Sequence, residues 1–419
     1  MQVVLVYPNQ TRLTELSARW KYPNVRPRRE PIIQLGIPYL YSAIKKYHPT
    51  FYIDNNLRKL DDDGLFNWII DRRPDVVGFG GTLSEWPQAS AVAAMLRKLN
   101  ILTIYGGPNA TANPQKHVQY FDFVMRGYAE ESFIGFLCGC RDGLPGLCWL
   151  GHIVEPCLLL DRETMSGRPD RSLLRHYRRT DASVCPQPVD VVMSSRGCPF
   201  ACRFCSSKTV WGRTYIERDV DDVIDEVQMM KREYGTHTIH FREDNFTVNK
   251  TRLTSLCLKM AETGLQWICQ SRLKSLDRDM IRLMKKCGCV LVCMGFESAN
   301  DSTLEYLHKG HTVSDILRTV SLLKKEGLCY SGGFMAGVLN EGEEEIKNTL
   351  SFTRWLSRQE YSHVPRGAGR FVGFPISETY DEMIERDLVE YNWQDGELLI
   401  PKTYKLSALQ VEECFDRWW

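Results

Sequence analysis

Three cysteines stand close together in the sequence, and their spacing predicts a metal centre. Cys198, Cys202 and Cys205 form a C-x3-C-x2-C pattern that follows an apolar run typical of a buried strand. Three thiolates on one loop can hold an iron–sulfur cluster and leave one iron open to a small chelating molecule. A structural zinc site is the alternative, but zinc prefers four closed ligands and the fourth would have to come from a distant position. The spacing therefore favours a cluster over zinc.

Apolar runs that alternate with amphipathic helices predict the scaffold that carries these cysteines. Alternation of this kind is typical of βα units. The chain has about six such units from Val191 onward, too few for a complete eight-unit barrel, so we expect an open, partial barrel. The predicted strands are Val191–Ser194, His237–Phe241, Trp267–Ser271, Val290–Phe296, Tyr330–Ala336 and Phe371–Phe374.

The first part of the chain shows the same alternation, with glycine turns after its apolar runs. We predict strands at Val3–Tyr7, Asp75–Gly81, Ile101–Gly107 and Phe121–Gly127. Such βαβ units form a parallel sheet whose ligands lie beyond the carboxyl ends of the strands. The predicted fold class is therefore α/β, with an N-terminal Rossmann-like doubly wound domain followed by a partial (β/α)6 barrel.

We expect four segments along the chain. Residues 1–140 form the doubly wound domain and residues 141–188, with scattered Gly, Pro and Arg, form a linker. Residues 189–380 form the partial barrel, and residues 381–419 form a C-terminal helical extension.

Composition excludes several classes of protein. Hydrophobic residues make up 43% and charged residues 25% of the 419 positions, as in soluble globular proteins. The formal net charge of +1 gives no basic excess for nucleic acid. Neither a signal peptide nor a run long enough for a membrane span is evident, so we expect a cytoplasmic protein. The 15 cysteines are therefore expected to serve metal binding or packing instead of disulfides.

The cysteine pattern and its surroundings resemble the radical S-adenosylmethionine (SAM) superfamily over roughly residues 190–380. Phe204 precedes the third cysteine, as that superfamily prefers, and is a candidate cofactor contact. The resemblance implies a 4Fe-4S cluster on Cys198, Cys202 and Cys205, with SAM on the open iron. It also implies a one-electron donor such as flavodoxin or ferredoxin. Reductive cleavage of SAM would then give a 5′-deoxyadenosyl radical that abstracts hydrogen from a small-molecule substrate.

Residues further along the chain resemble the SAM-binding elements of the superfamily. Each has a structural alternative, because an acid can cap a helix or form an ion pair and an arginine can be a solvated charge. By resemblance, Glu243 and Asp244 are candidate catalytic residues near the SAM amino group, Arg272 lies at the carboxylate, Glu297 at the ribose, and Gly333 and Gly337 beneath the adenine.

The first domain resembles the cobalamin-binding type that precedes many radical SAM barrels. Gly106 and Gly107 begin a G-G-P-N-A-T segment similar to G-G-P-H-x-T, and Gly127 lies in R-G-Y-A-E, similar to R-G-E-G-E. These glycines are candidate cobalamin contacts. No D-x-H-x-x-G is present and Asn109 replaces the usual histidine, so a domain that keeps the fold without the cofactor stays open.

Three functions follow from the resemblance. The first is cobalamin-dependent C-methylation of a small molecule, a natural product such as an antibiotic intermediate. The second is a cobalamin-independent radical dehydration or rearrangement, such as diol dehydration of an aminoglycoside intermediate. Acids at Glu243–Asp244 and Glu341–Glu345 would suit its cationic amino sugar. The third is a non-catalytic cobalamin and SAM sensor, which the intact thiol set disfavours.

Overall fold

The computed structural model describes residues 1–9, 34–157, 167–177, 185–393 and 398–418. The chain forms two compact units, Met1–Asp181 with Thr209–Gly212, and Ala182–Lys208 with Arg213–Trp419. The predicted linker falls partly outside the described residues, and the four-segment division stays a prediction. Within the described ranges, no helix has the length and apolar character that crossing a membrane requires.

The first unit contains a six-stranded sheet in the order β2-β1-β3-β4-β5-β6. The first five strands are parallel and β6 is antiparallel. The order reverses between β1 and β3, a topological switch point of the kind at which open α/β sheets bind ligands. The strands are β1 (Val3–Tyr7), β2 (Thr50–Asp54), β3 (Val76–Gly80), β4 (Leu102–Gly106), β5 (Phe123–Met125) and β6 (Leu147–Cys148). The helices are α1 (Gly36–Ile44), α2 (Asn55–Arg58), α3 (Asp62–Ile70), α4 (Trp86–Arg97), α5 (Pro108–Ala112), α6 (Pro114–His117) and α7 (Glu130–Leu137).

Strand β1 shows why this sheet is apolar on both faces. Val4 and Val6 belong to one hydrophobic cluster, whereas Val3, Leu5 and Tyr7 belong to another. Successive side chains of a strand point to opposite faces, so both faces of the sheet are covered. A strand covered on both sides has a continuous apolar run instead of an alternating one, as in the sequence.

The second unit contains a parallel six-stranded sheet in the order β14-β13-β12-β11-β10-β7, which curls into a partial barrel. Together the two sheets confirm the predicted fold class. The strands are β7 (Val189–Val192), β8 (Ser195–Gly197), β9 (Tyr215–Glu217), β10 (Thr238–Phe241), β11 (Gln266–Ser271), β12 (Cys289–Glu297), β13 (Cys329–Ala336), β14 (Gly369–Arg370), β15 (Val389–Trp393) and β16 (Leu398–Pro401). The helices are α8 (Ser207–Trp211), α9 (Val220–Tyr234), α10 (Lys250–Thr263), α11 (Arg278–Lys286), α12 (Asp301–Tyr306), α13 (Val313–Glu326), α14 (Glu343–Ser357), α15 (Glu378–Glu385) and α16 (Ala408–Trp418).

The last predicted strand of the barrel was wrong. Phe371–Phe374 was expected as a strand, but β14 is Gly369–Arg370. Phe371 is buried in an apolar cluster with Met383 and Leu399. An apolar residue that packs against a later part of the chain gives the same local signal as a strand.

Candidate active site

The three cysteines lie on a loop after β7 that the short antiparallel pair β8–β9 brackets. All three are partly buried free thiols. The Cys205 amide donates to the Cys202 carbonyl at 3.1 Å, and the Ser207 amide lies 3.5 Å from the Cys205 sulfur. Burial raises the pKa of Cys198 and of Cys205, and the charge of Cys202 raises both further. The three thiols therefore lie within electrostatic reach of one another.

The donor set of this loop is three soft sulfur ligands. Three thiolates on one loop can hold an iron–sulfur cluster with one iron left open, whereas a structural zinc site needs a fourth ligand. Within the described ranges, no group of three or more His, Cys, Asp or Glu side chains, these cysteines included, is already arranged to enclose a metal ion. Thiols lose their protons when they bind a metal.

Arg272 lies against the cysteine loop. Its Nη1 donates to the Cys202 sulfur at 3.1 Å, and its guanidinium carbon lies 4.0 Å from the centre of the Phe200 ring. Its Nη2 donates to the Lys309 carbonyl. The Arg272 guanidinium therefore contacts Cys202, one of the candidate cluster ligands. The contact of Arg272 with the SAM carboxylate stays a prediction.

The two neighbouring acids hold opposite ends of the cysteine loop. Glu243 is buried and accepts hydrogen bonds from the Ser194 amide at 2.5 Å and from the Ser195 hydroxyl. Asp244 is exposed and accepts from the Ser207 hydroxyl at 2.6 Å. The structure therefore brings both acids to the loop, in distinct positions. Their catalytic roles stay predictions.

Glu297 forms an ion pair, the structural alternative given for it above, and its partner Lys309 was not indicated by the sequence. Its carboxylate lies 3.0 Å from Lys309 Nζ, and both side chains are largely buried. Lys309 Nζ is also 5.7 Å from the centre of the Phe204 ring. Glu297 has a φ of +68°, in the left-handed region that non-glycine residues rarely adopt. The ribose contact predicted for Glu297 stays a prediction, and Lys309 joins the candidate residues.

The two glycines predicted beneath adenine differ in their surroundings. A Cβ at Gly333 would meet no atom within 4 Å, so this backbone borders open space. Gly337 has a φ of +78°, and a Cβ there would lie 2.7 Å from Arg370 Nη1. Gly337 is therefore required by packing, whereas Gly333 leaves room for a ligand.

Glu341 is a buried acid that ties three elements together. It accepts hydrogen bonds from the Gly337 amide at 2.8 Å, the Val338 amide at 3.1 Å, the Thr303 hydroxyl at 3.0 Å and the Ser298 hydroxyl at 3.3 Å. These four hydrogen bonds make Glu341 a structural link between the turn after β13, Thr303 and Ser298.

Replacing Glu341 with glutamine is expected to remove a pH dependence from stability. Burial raises the pKa of Glu341 to about 7 from an ordinary 4.5. The folded chain binds the Glu341 proton more tightly than the unfolded chain does. The stabilisation that this proton gives to the fold is therefore complete below pH 4.5 and is lost as the pH rises through 7. The expected change in unfolding free energy is about 3 kcal/mol. Urea denaturation of wild type and variant across this window measures it. The exposed Glu344→Gln is the control, and a wild-type–variant difference that does not change with pH would contradict the expectation.

The glycine turns of the first unit lie after β4 and β5. Gly107 has a φ of +104°, and a Cβ there would lie 2.7 Å from the Gly81 carbonyl oxygen. Gly127 has a φ of +73°, and its Cβ would lie 2.1 Å from the Cys157 carbonyl oxygen. Close backbone packing therefore accounts for both. Gly106 differs, since its Cβ would meet only the Met125 oxygen, at 3.7 Å.

One threonine connects these turns. The Thr111 hydroxyl donates to the Gly107 carbonyl and accepts from the Gly127 amide, both at 2.9 Å. Asn109, where the resemblance predicts histidine, is buried and donates to the Tyr105 hydroxyl at 3.3 Å. The carboxyl edge of β4 and β5 is therefore an ordered backbone surface.

The fold and the thiol loop together define a class of protein, a partial barrel with three cysteines after its first strand. The sequence profile described as the radical SAM superfamily matches residues 192–353. An uncharacterized methyltransferase from Pyrococcus horikoshii is 31% identical over 77% of this chain and 73% of its own length. A cytidylyl-2-hydroxyethylphosphonate methyltransferase from Streptomyces wedmorensis is 25% identical over 99% of this chain and 87% of its own.

Solved structures show the same fold. The methyltransferase TsrM from Kitasatospora setae, with cobalamin and a 4Fe-4S cluster bound, has a TM-score of 0.72 and 18% identity. The match covers 99% of this chain and 82% of TsrM. The chain belongs to the radical SAM superfamily and is a radical SAM enzyme. The cofactors of that superfamily are a 4Fe-4S cluster and SAM.

Proposed function

We propose that this protein is a cobalamin-dependent radical SAM enzyme that transfers a methyl group to a carbon atom of a small molecule. The proposal rests on one observation, that the chain combines two units. One is a Rossmann-like sheet with a glycine-lined carboxyl edge, and the other is a partial barrel with a three-thiol loop. The methyltransferase names of the relatives described above support the same reaction.

In the second unit, we propose Cys198, Cys202 and Cys205 as the cluster ligands. When bound, the cluster supplies the electron that cleaves SAM. The chain's own contribution is to hold the loop and its charges in place. Arg272 fixes the loop at Cys202, and the buried ion pair of Lys309 with Glu297 presents charges beside Phe204. We propose these charged groups as contacts for the zwitterionic and ribose parts of SAM.

In the first unit, the residues present fit a flat ligand that approaches the backbone. Gly106 leaves open space at the carboxyl edge, and Gly107 and Gly127 let the neighbouring turns pack without side chains. Asn109 is buried and donates to the Tyr105 hydroxyl, so its side chain is held within the chain. We therefore propose that a corrin would be held at this edge through backbone contacts.

Three of the acids that would suit the cationic amino sugar of the aminoglycoside alternative are engaged within the chain. Glu243 and Glu341 are buried and hydrogen-bonded within the chain. Glu345 accepts from the Gly342 amide at 2.7 Å at the start of α14 and lies 3.4 Å from Lys405.

We further propose that the electron donor is a flavodoxin or ferredoxin and that the enzyme is cytoplasmic.

The absorption spectrum of anaerobically purified protein supplied with hydroxocobalamin tests the proposal. We expect a bound corrin after gel filtration, and S-adenosylhomocysteine beside 5′-deoxyadenosine under reducing conditions with SAM. Gly106→Val should weaken corrin binding, because its side chain enters the open space, whereas Gly36→Ala should not. Formation of 5′-deoxyadenosine without a bound corrin would exclude methyl transfer of this kind and favour dehydration or rearrangement.

A further inference from the structure

Arg203 lies between two of the candidate ligands in the sequence, and its side chain contacts residues far along the chain. Its Nη2 is 2.8 Å from the carboxylate of Glu382, on α15. Its Nε lies 3.5 Å from Glu378 on the same helix. Its guanidinium carbon lies 4.5 Å from the centre of the Tyr306 ring. One guanidinium therefore contacts two separate elements.

The backbone of Arg203 is held by the same two elements. Its amide donates to the Leu307 carbonyl at 3.1 Å, just after α12. Its carbonyl accepts from the Thr379 amide at 3.3 Å, in the first turn of α15. Side chain and backbone are thus anchored together, which restricts the loop between the second and third cysteines more than a side-chain contact alone would.

The surroundings of Glu382 favour its charged form although the side chain is buried. It is 8% exposed. One carboxylate oxygen accepts from Arg203 and, at 2.6 Å, from the Tyr306 hydroxyl. The other accepts from the Tyr404 hydroxyl and lies 3.3 Å from Arg386. Burial alone would raise the pKa of Glu382, but the tyrosine hydrogen bonds and the Arg203 charge lower it below its ordinary value.

The helix that carries Glu382 is itself fixed. The next residue, Met383, is fully buried in an apolar cluster with Leu307 and Phe371, and Phe204 packs against that cluster. The helix position is therefore set by packing, and the ion pair transmits this position to the loop. Glu382 and Tyr404 lie beyond residue 353, where the superfamily match ends.

We infer that Glu382 is a positioning residue for cluster binding, because through Arg203 it holds the loop between Cys202 and Cys205 in the conformation that ligation needs. The pair Arg203–Glu382 is called the loop clamp. This inference rests on the proposed role of the three cysteines. It makes the region after residue 353 a part of the cluster site.

Retention of a reconstituted cluster tests the loop clamp. The full-length chain is reconstituted anaerobically with iron and sulfide, and the visible absorbance is followed after addition of a chelator. We expect Glu382→Gln to lose the cluster about tenfold faster than wild type, as when a residue that orients metal ligands is replaced. Glu385→Gln, an exposed acid on the same helix, is the matched control and should behave like wild type.

A second measurement separates positioning from a general loss of stability. Arg203→Met should lose the cluster at least as fast as Glu382→Gln, because it also removes the contacts with Glu378 and Tyr306. The double variant should be no worse than Arg203→Met, because the contact with Glu382 is already absent there. Unchanged retention in Glu382→Gln, or multiplied effects in the double variant, would overturn the inference. The inference would also be overturned if the rate of cluster loss in each variant only paralleled a lower thermal midpoint of the cluster-free protein. If the wild-type protein itself binds no cluster, the proposed function is contradicted, and the loop clamp with it.

Discussion

Replacing Cys198, Cys202 and Cys205 together with alanine is expected to abolish cluster binding and SAM cleavage. The three thiols are the only candidate ligands on the loop, and alanine offers no donor. The rate of 5′-deoxyadenosine formation should fall to the uncatalysed background, a loss of at least about a millionfold. Chromatographic measurement of 5′-deoxyadenosine, with the iron content of the protein, gives both quantities from one preparation.

The matched control replaces three other cysteines. Cys138 and Cys140 are exposed and Cys157 is partly buried, and all three are free thiols in the first unit. Their triple alanine variant should bind the cluster and cleave SAM like wild type. A cluster that survives in the first variant, or is lost in the control, would show that the ligands lie elsewhere. Circular dichroism of both proteins verifies that they remain folded.

Replacing Arg218 with methionine is expected to destabilise the second unit strongly. Its guanidinium lies 2.7 Å from Glu226, and the two side chains are 2% and 0% exposed. Methionine would leave Glu226 as a buried charge without this partner. The loss of an ion-pair partner in such a site costs about 3–5 kcal/mol. The midpoint and slope of urea denaturation give the free energy.

Arg282→Met is the control for this change, because Arg282 is 42% exposed and pairs with Glu326 at 3.0 Å. An exposed pair contributes no more than about 1 kcal/mol. A double change of Arg218→Met with Glu226→Gln should recover part of the loss, since it also removes the buried charge. Equal effects of Arg218→Met and Arg282→Met would mean that burial does not govern the strength of these pairs.

The strands of the barrel were predictable because their signal is local. Trp267–Ser271 was predicted where β11 is Gln266–Ser271, and Val290–Phe296 where β12 is Cys289–Glu297. Strands packed between a barrel interior and helices carry continuous apolar runs. Strand β2, which was not predicted, starts with exposed and half-buried residues and has a weaker pattern.

Residue types at fixed spacing also identified the cysteine loop, since three thiols a few residues apart must lie together in any fold. The residues that contact this loop had no such signal in the sequence. Glu243, whose place near SAM stays a prediction, accepts hydrogen bonds from Ser194 and Ser195 that the sequence did not indicate. Arg203 lies inside the motif itself, but nothing near it in the sequence indicates that its partner is 179 residues away.

The sequence by itself determined the superfamily, the order of the two sheets and the identity of the candidate ligands. These properties depend on local spacing and on burial patterns that repeat along the chain. Only the tertiary structure decided which charges hold the loop and which glycines face open space. A long-range hydrogen bond or a close backbone approach depends on where the strands and helices pack, and this position has no signature in the residues that flank either partner.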